Sequence, residues 1–499
     1  MRPEGRSQLG GLAEGVSRNN ADAPLYCGRV YFLLEGENSV AKDLTKGTPA
    51  RLIFGFAVPL LIGNLFQQLY GMVDTLIVGR TIGVDALASV GSTGSIMFFM
   101  IGFVQAMTSG FSIVTAQQYG ARKYAAVRRS FCVSISLGIL ASVLLTGCSL
   151  FFARDILHLL DTPDRIIEGA YSYISIIYAG IGISILFNLL SNTLLALGDS
   201  KPPLFFLIIA CVMNILLDLL FILGFSWGVA GAAWATVISQ ATASLLCVLY
   251  IAAKLPVLHV RRKDWKIAGA DLLRSARIGL PMGFQASIIA VGAIILQWAL
   301  NSLGPDAVAA FTVVRSIDMV AILPMASFGL AMATYVGQNY GAGDIARIRL
   351  GVRQCCLMSL SFSVVVALIN IFGGHYLIGL FIGRGQEHIT ALGQTFLTIS
   401  GSMYWVLSLL FIFRFTLQGL GKSLVPTFAG VMELGARAMA AIVLTKQFGF
   451  VGACLANPLA WIGSCVPLAI AYVLIIRKLS AEKSGETVQF AESASNLHQ

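Results

Sequence analysis

From about residue 50 onward the chain is a succession of apolar stretches, most of them roughly 20 residues or longer, separated by short polar breaks. A stretch of that length crosses the hydrocarbon core of a bilayer as a helix, because in lipid every backbone amide must find its partner within its own segment. Read by runs and breaks, the stretches fall near 52–79, 87–118, 127–151, 166–196, 203–224 and 229–252. They resume near 272–302, 307–337, 346–372, 389–418, 424–446 and 450–476. The expectation is an all-α polytopic membrane protein with twelve transmembrane helices. Composition excludes a soluble domain: 57% of residues are hydrophobic, 12% are charged, and the mean hydropathy is +0.81.

The formal charge of +10 would suggest nucleic acid as a partner of a soluble chain. Here the bases lie between apolar stretches, where lipid headgroups and a cytoplasmic surface account for them, so membrane lipids and not nucleic acid are expected as partners. Arg122, Lys123, Arg128 and Arg129 follow the second stretch, the run from Lys254 to Arg277 follows the sixth, and Arg347, Arg349 and Arg353 follow the eighth. Loops on the other side offer little beyond Arg80, Arg154, Arg165, Arg384 and Lys446. By the positive-inside rule both termini are expected in the cytoplasm.

Residues 1–46 read as a polar cytoplasmic tail, since their one apolar run, Val30 to Leu34, is too short for a secretory signal. Residues 47–253 and 272–478 read as two lobes, 254–271 as the basic linker between them, and 479–499 as a C-terminal tail. The nine cysteines fall almost entirely inside apolar stretches and form no CxxC pair, so they read as small apolar residues and not as metal or disulfide sites.

The second half repeats the first at a nearly constant offset. Gly83-Val84-Asp85-Ala86-Leu87 returns as Gly304-Pro305-Asp306-Ala307-Val308, Gln118-Tyr119-Gly120-Ala121 as Asn339-Tyr340-Gly341-Ala342, and Gly231-Ala232 as Gly452-Ala453, each 221 residues on. Pro59 and Pro281 match within one residue of that offset, and Gly198 and Pro203 match Gly421 and Pro426 within two. Two pseudo-symmetric six-helix lobes of the same orientation follow, related by an axis along the membrane normal, with the cleft between them as the default binding site.

The halves differ in where they place acids. A carboxylate inside the bilayer costs about 2.5–3.5 kcal/mol on insertion scales, so an acid at mid-span is a functional candidate by default. Asp74 lies in the first stretch, and Asn214 and Asp218 lie four apart in the fifth, hence on one helical face. The counterpart of Asp74 in the second half is an Ile-Ile-Leu-Gln run ending at Gln297, and the counterparts of Asn214 and Asp218 are alanines and Arg437. Desolvation tunes a carboxylate for proton exchange, whereas Na⁺ needs several oxygen ligands. Asp74, Asp218, the Asn214 amide, the Thr236 hydroxyl and an Asn188 or Asn192 amide can serve either ion. The second half offers Arg315 with Asp318, and Glu433 with Arg437, each pair spaced to meet along one helix as polar glue.

In combination, several runs resemble the multidrug and toxic compound extrusion (MATE) family: Pro59 to Tyr70 leading into Val73-Asp74-Thr75, Gln-Gln-Tyr-Gly-Ala at 117–121, Ala-Leu-Gly-Asp-Ser-Lys-Pro-Pro at 196–203, and Gln-Asn-Tyr-Gly-Ala at 338–342. The resemblance covers roughly residues 45–478. It implies a monomeric secondary transporter of the cytoplasmic membrane that exports drugs or toxic organic cations against H⁺ or Na⁺, by alternating access and without a cofactor. One branch of that family places its ion site in the N-terminal lobe; Asp74, Asn214 and Asp218 match it directly, Thr236 by its place in the sixth stretch, and the helix-four asparagine falls on Asn192 or Asn188. Apart from the resemblance, Pro59 reads as a bend in a membrane helix, either simply tolerated there or used for helix bending during transport. Acids that another branch carries in helices seven and ten are replaced here by Gln285, Gln297 and Arg414.

Gln68, Met72, Gln285, Arg315, Asp318 and Arg414 are the candidate cavity-lining residues. Met97, Phe98, Phe99, Met100 and Met107 suit apolar cations through polarizable and cation–π contacts, but packing or lipid contact is the better explanation of them. Gly421-Lys422-Ser423 ends like a phosphate-binding loop but follows a spanning helix, and Thr416 stands where that loop needs glycine. No metalloprotease spacing, nucleophile elbow or dinucleotide fingerprint is present, which excludes the common enzyme motifs. A flippase for a lipid-linked or polysaccharide precursor is the alternative to an antiporter, and would be expected to carry unpaired bases between its lobes. An ion channel would repeat its filter around an axis, whereas these acids sit in one half.

Overall fold

The computed structural model describes residues 43–160, 162–381 and 386–496. All but the last four residues of the expected N-terminal tail lie outside these, as do Cys27 and Arg384. Among the described residues all regular structure is helical. The first half comprises α1 (Pro49–Thr81), α2 (Val84–Gly120), α3 (Tyr124–Phe151), the short α4 (Ala153–Leu159), α5 (Asp164–Ala179), α6 (Ile181–Ala196), α7 (Lys201–Leu219) and α8 (Gly228–Lys254). The second comprises α9 (Gly269–Asn301), α10 (Pro305–Gly341), α11 (Ile345–Gly379), α12 (Glu387–Ser402), α13 (Tyr404–Gly419), α14 (Leu424–Met439), the one-turn α15 (Thr445–Phe448) and α16 (Phe450–Asn496).

Among the described residues ten helices are long and apolar enough to cross a membrane, and two bent pairs, each counted as one span, bring the number to twelve. The bent pairs correct the expectation of one continuous helix each at 166–196 and 389–418. The first bends by 47° between α5 and α6 and the second by 49° between α12 and α13, at Gly180 and Met403. The last span also fails to stop near residue 476, since α16 continues as helix to Asn496.

The repeat extends to backbone detail. α1 and α9 have 33 residues each, α2 and α10 have 37, and α5, α6, α12 and α13 have 16. α7 and α14 both run into five-residue π-helical turns, Leu220–Gly224 and Ala440–Leu444. Gly83 and Gly304 precede α2 and α10 with φ of 116° and 96°, in the left-handed region where a side chain is strained, which explains why this glycine recurs in both halves.

The two halves are joined by an exchange of helix ends. Near the end of the bundle that carries Arg122, Arg128, Arg347 and Arg353, the first part of α1 packs into the second half. Ile53, Phe56, Ala57 and Leu60 share a core cluster with Met325, Phe328, Tyr335 and Ile348 of α10 and α11. Reciprocally, Ile278 and Met282 of α9 pack on Ile113 and Val114 of α2. The exchange ends near Pro59 and Pro281, where each helix has lost one backbone donor. Past Pro59, α1 still reaches the second half through Asn64, which donates to Ser327 Oγ at 3.1 Å, while Gly63 already lies against Leu204 and Leu207 of α7.

The repeated Gln-x-Tyr-Gly-Ala runs close this basic end. Gln117 donates through Nε2 to the Gly419 carbonyl at 2.9 Å, and Gln338 donates through Nε2 to the Ala196 carbonyl at 2.9 Å, the same bond made in each direction. A Cβ on Gly120 would run into the backbone of Gln338, and one on Gly341 into the backbone of Gln117, so glycine is required for this approach. The chain before α1 adds a strap across the seam. Leu44 gives its N–H to Gln338 Oε1 at 2.9 Å, Arg347 bonds the Gly47 carbonyl at 2.7 Å, and Asp43 pairs with Arg122 at 3.6 Å.

Candidate cation site

Asp74 sits past the proline of α1, in the part of the helix that belongs to the first half. It is 8% exposed, and Asp218 and Asn214 on α7 are fully buried. The Asp74 and Asp218 carboxyl groups lie against one another. With its amide oriented to satisfy both neighbours, Asn214 donates through Nδ2 to Asp218 Oδ2 at 3.0 Å and accepts the Thr236 N–H at 3.3 Å. The Tyr70 hydroxyl, one helical turn before Asp74, donates to Thr236 Oγ1 at 3.0 Å. Four residues expected from the sequence thus converge, and one oxygen on each carboxyl group has no hydrogen-bond partner in the protein.

Two carboxylates in a buried site cannot both stay charged without a proton or a cation between them. Among the described residues neither forms an ion pair with a lysine or arginine. The oxygen set of two carboxyls, an amide and a hydroxyl is hard-ligand chemistry suited to H⁺ or Na⁺. No group of three His, Cys, Asp or Glu side chains that would hold a transition metal occurs among the described residues.

A cavity of about 390 Å³ opens beside the carboxyls, lined among others by Tyr70, Asp74, Met97, Tyr173, Asn188 and Thr236. Of the two helix-four asparagines, Asn188 is therefore the one on the cavity. Asn192, one turn on, is buried with its Nδ2 on Thr108 Oγ1 at 3.1 Å. Tyr70 and Tyr173 were not anticipated. Tyr70 is legible in hindsight from its spacing of four to Asp74, but Tyr173 comes from α5 with no signal beyond being aromatic.

The other candidates scatter. Gln68 and Met72 line an open groove on α1 with Gln67, Thr75 and Arg80. Gln285 is buried, donating to the Pro426 carbonyl at 2.8 Å and accepting from Gln418 at 2.9 Å, which ties α9 to α13 and α14. Arg315 and Asp318 do not pair, because Asp318 turns inward to accept from the Tyr404 hydroxyl while Arg315 stays exposed. Glu433 and Arg437 do pair, at 2.9 Å, and Arg414 completes a buried triad by meeting Glu433 at 2.5 Å. Arg414 is therefore consumed inside the second half and is absent from the cavity wall.

A model of the MatE family matches this chain twice, over residues 59–220 and 281–443. The chain belongs to the MatE family. Both matches begin at the helix proline and end within the π-helical turn, so the family unit coincides with the repeat found in the sequence. The chain is similar to the probable multidrug resistance protein YpnP of Bacillus subtilis, 28% identical over 393 residues that cover 77% of this chain and 85% of that one. It is also similar to the probable multidrug resistance protein YoeA of the same organism, 27% identical over 450 residues covering 88% and 95%. A crystal structure of MATE in complex with MaL6 superposes with a TM-score of 0.80 at 22% identity, over 89% of this chain and 99% of that chain. This protein is accordingly a multi-pass membrane transporter with the MATE fold and not an enzyme.

Proposed function

We propose that this MATE transporter exports bulky, often cationic organic compounds in antiport with H⁺ or Na⁺, and that the ion binds in the first half between Asp74 and Asp218. The contact of two buried, uncompensated carboxyl groups, Asp74 on the cavity wall and Asp218 behind it, carries the reading. Asn214 and Tyr70 orient Asp218 and Thr236, while Asn188 offers a further oxygen from the cavity side. The two six-helix halves, residues 47–253 and 272–478, act as rocking lobes of a monomer whose termini lie in the cytoplasm. The closed basic end is then the cytoplasmic face, and the described conformation faces outward.

Ion and drug are anti-coupled by linkage: each lowers the affinity for the other by the same factor. Loading the carboxyls reshapes α1 beyond Pro59 and releases substrate outward, and substrate arriving from the cytoplasm expels the ion. Equilibrium binding tests this directly. Adding a cationic substrate to purified protein in weak buffer should release protons, or displace bound ²²Na⁺, and Asp74→Asn should abolish the release. Release that persists unchanged in Asp74→Asn and in Asp218→Asn would rule out this site.

A further inference from the structure

We infer that the linker between α8 and α9 is a rigid binding surface for the headgroups of anionic phospholipids, built from Arg261, Arg262, Lys263, Trp265 and Lys266. This rests on the linker alone and stands whether or not the ion site is placed correctly. Between Lys254 and Arg277 the chain carries seven bases and two acids. Both acids are turned onto α3: Asp264 pairs with Arg128 at 3.0 Å, and Asp271 with Arg129 at 3.9 Å. Asp264 is buried and Asp271 partly exposed, and each is countered by a base of α3. Arg261, Arg262, Lys263 and Lys266 are exposed and form no ion pair among the described residues.

The segment is also held in place, unlike a loose basic loop. Leu255 and Leu258 are buried in the core cluster of α3, α6 and α8. Two 3₁₀ turns, Pro256–Leu258 and Arg262–Trp265, shape the path between them. The Arg261 N–H bonds Asp264 Oδ2 at 2.9 Å, which fixes the start of the second turn. Trp265 remains 48% exposed in the middle of the bases. An indole beside several bases at the end of a spanning helix has the chemistry of the lipid headgroup layer, where Trp sits at the apolar boundary and Lys or Arg meets phosphate. Charge complementarity selects an anionic lipid over a zwitterionic one. Because this linker is the covalent join between the two halves, lipid held there ties the bilayer surface to both.

Native mass spectrometry of the full-length protein, purified from mixed phosphatidylglycerol and phosphatidylcholine, tests the inference. The wild type should retain phosphatidylglycerol preferentially, with retention falling as salt is raised. Each base near an anionic surface is worth about fivefold in affinity, so the quadruple variant R261Q/R262Q/K263Q/K266Q should lose at least one bound phosphatidylglycerol, with retention at least about tenfold weaker. The charge-preserving variant R261K/R262K should keep it, which separates lost charge from lost folding. Equal retention of both lipids by the wild type, or undiminished phosphatidylglycerol on a quadruple variant that elutes as a folded monomer, would overturn the inference.

Discussion

At the residue scale the protein treats its charges in three ways, and only one leaves them available to an ion. Glu433 is held between Arg414 and Arg437, Asp264 between Arg128 and the Arg261 N–H, whereas Asp74 and Asp218 have each other and, among the described residues, no base. Removing the shared anion of the triad strands two buried guanidinium groups, so Glu433→Gln should destabilise the protein by about 3–5 kcal/mol, read as lowered resistance to unfolding in detergent. Hydrogen bonding from the Arg261 amide and pairing with Arg128 hold the Asp264 carboxyl below the usual carboxylate range. A carboxyl depressed on folding contributes stability that is fully present above its unfolded pKa of about 3.9, and that is lost as pH falls through the folded value. Hydrogen exchange at the Arg261 amide, corrected for intrinsic rates, should therefore stay slow at neutral pH and accelerate only under acid; Asp264→Ala, which removes the acceptor, should exchange fast at both. The acids were legible in the sequence because a carboxyl at mid-span has few alternative explanations. Their tyrosine neighbours were not, since an aromatic residue is ordinary in an apolar helix. The Arg315–Asp318 pairing failed because spacing along one helix says nothing about a hydroxyl arriving from another.

At the element scale the sequence gives span positions well and helix ends poorly. Both bent spans are apolar throughout, so hydropathy runs across Gly180 and Met403 without registering a break. The more consequential feature is α1, whose first part is cemented into the second half while Asp74 lies beyond Pro59 in the first. Its proline was legible, but the exchange of helix ends was not, because a run that is apolar all round does not reveal which neighbour it meets. Any motion that opens the basic end must detach α1 from α10 and α11, and α9 from α2. The Ala50 N–H donates across this seam to Gln354 Oε1 at 2.9 Å. A disulfide between Ala50→Cys and Gln354→Cys, formed in a cysteine-free background, should stop transport, and a reductant should restore it. Full transport with the disulfide closed would mean that α1 and α11 move as one body.

At the scale of the whole molecule, the inter-half hydrogen bonds from Leu44, Gln117 and Gln338 gather at one end, which is the geometry of a two-lobed transporter caught closed on one face. The repeat made the two halves visible from the sequence at a step of 221 residues, and the twofold family match follows the same division. What the repeat does not share is what makes the pump asymmetric: acids beside a cavity in one half, and a buried triad of arginines and glutamate in the other. In the proposed mechanism, ion energy enters through Asp74 and Asp218. Efflux of a fluorescent organic cation from proteoliposomes, driven by an imposed pH or Na⁺ gradient, is the measurement that tests it most directly. Gradient-driven efflux by the wild type, lost in both Asp74→Asn and Asp218→Asn, is the predicted result. Efflux in either variant that still follows the gradient at the wild-type rate would contradict it.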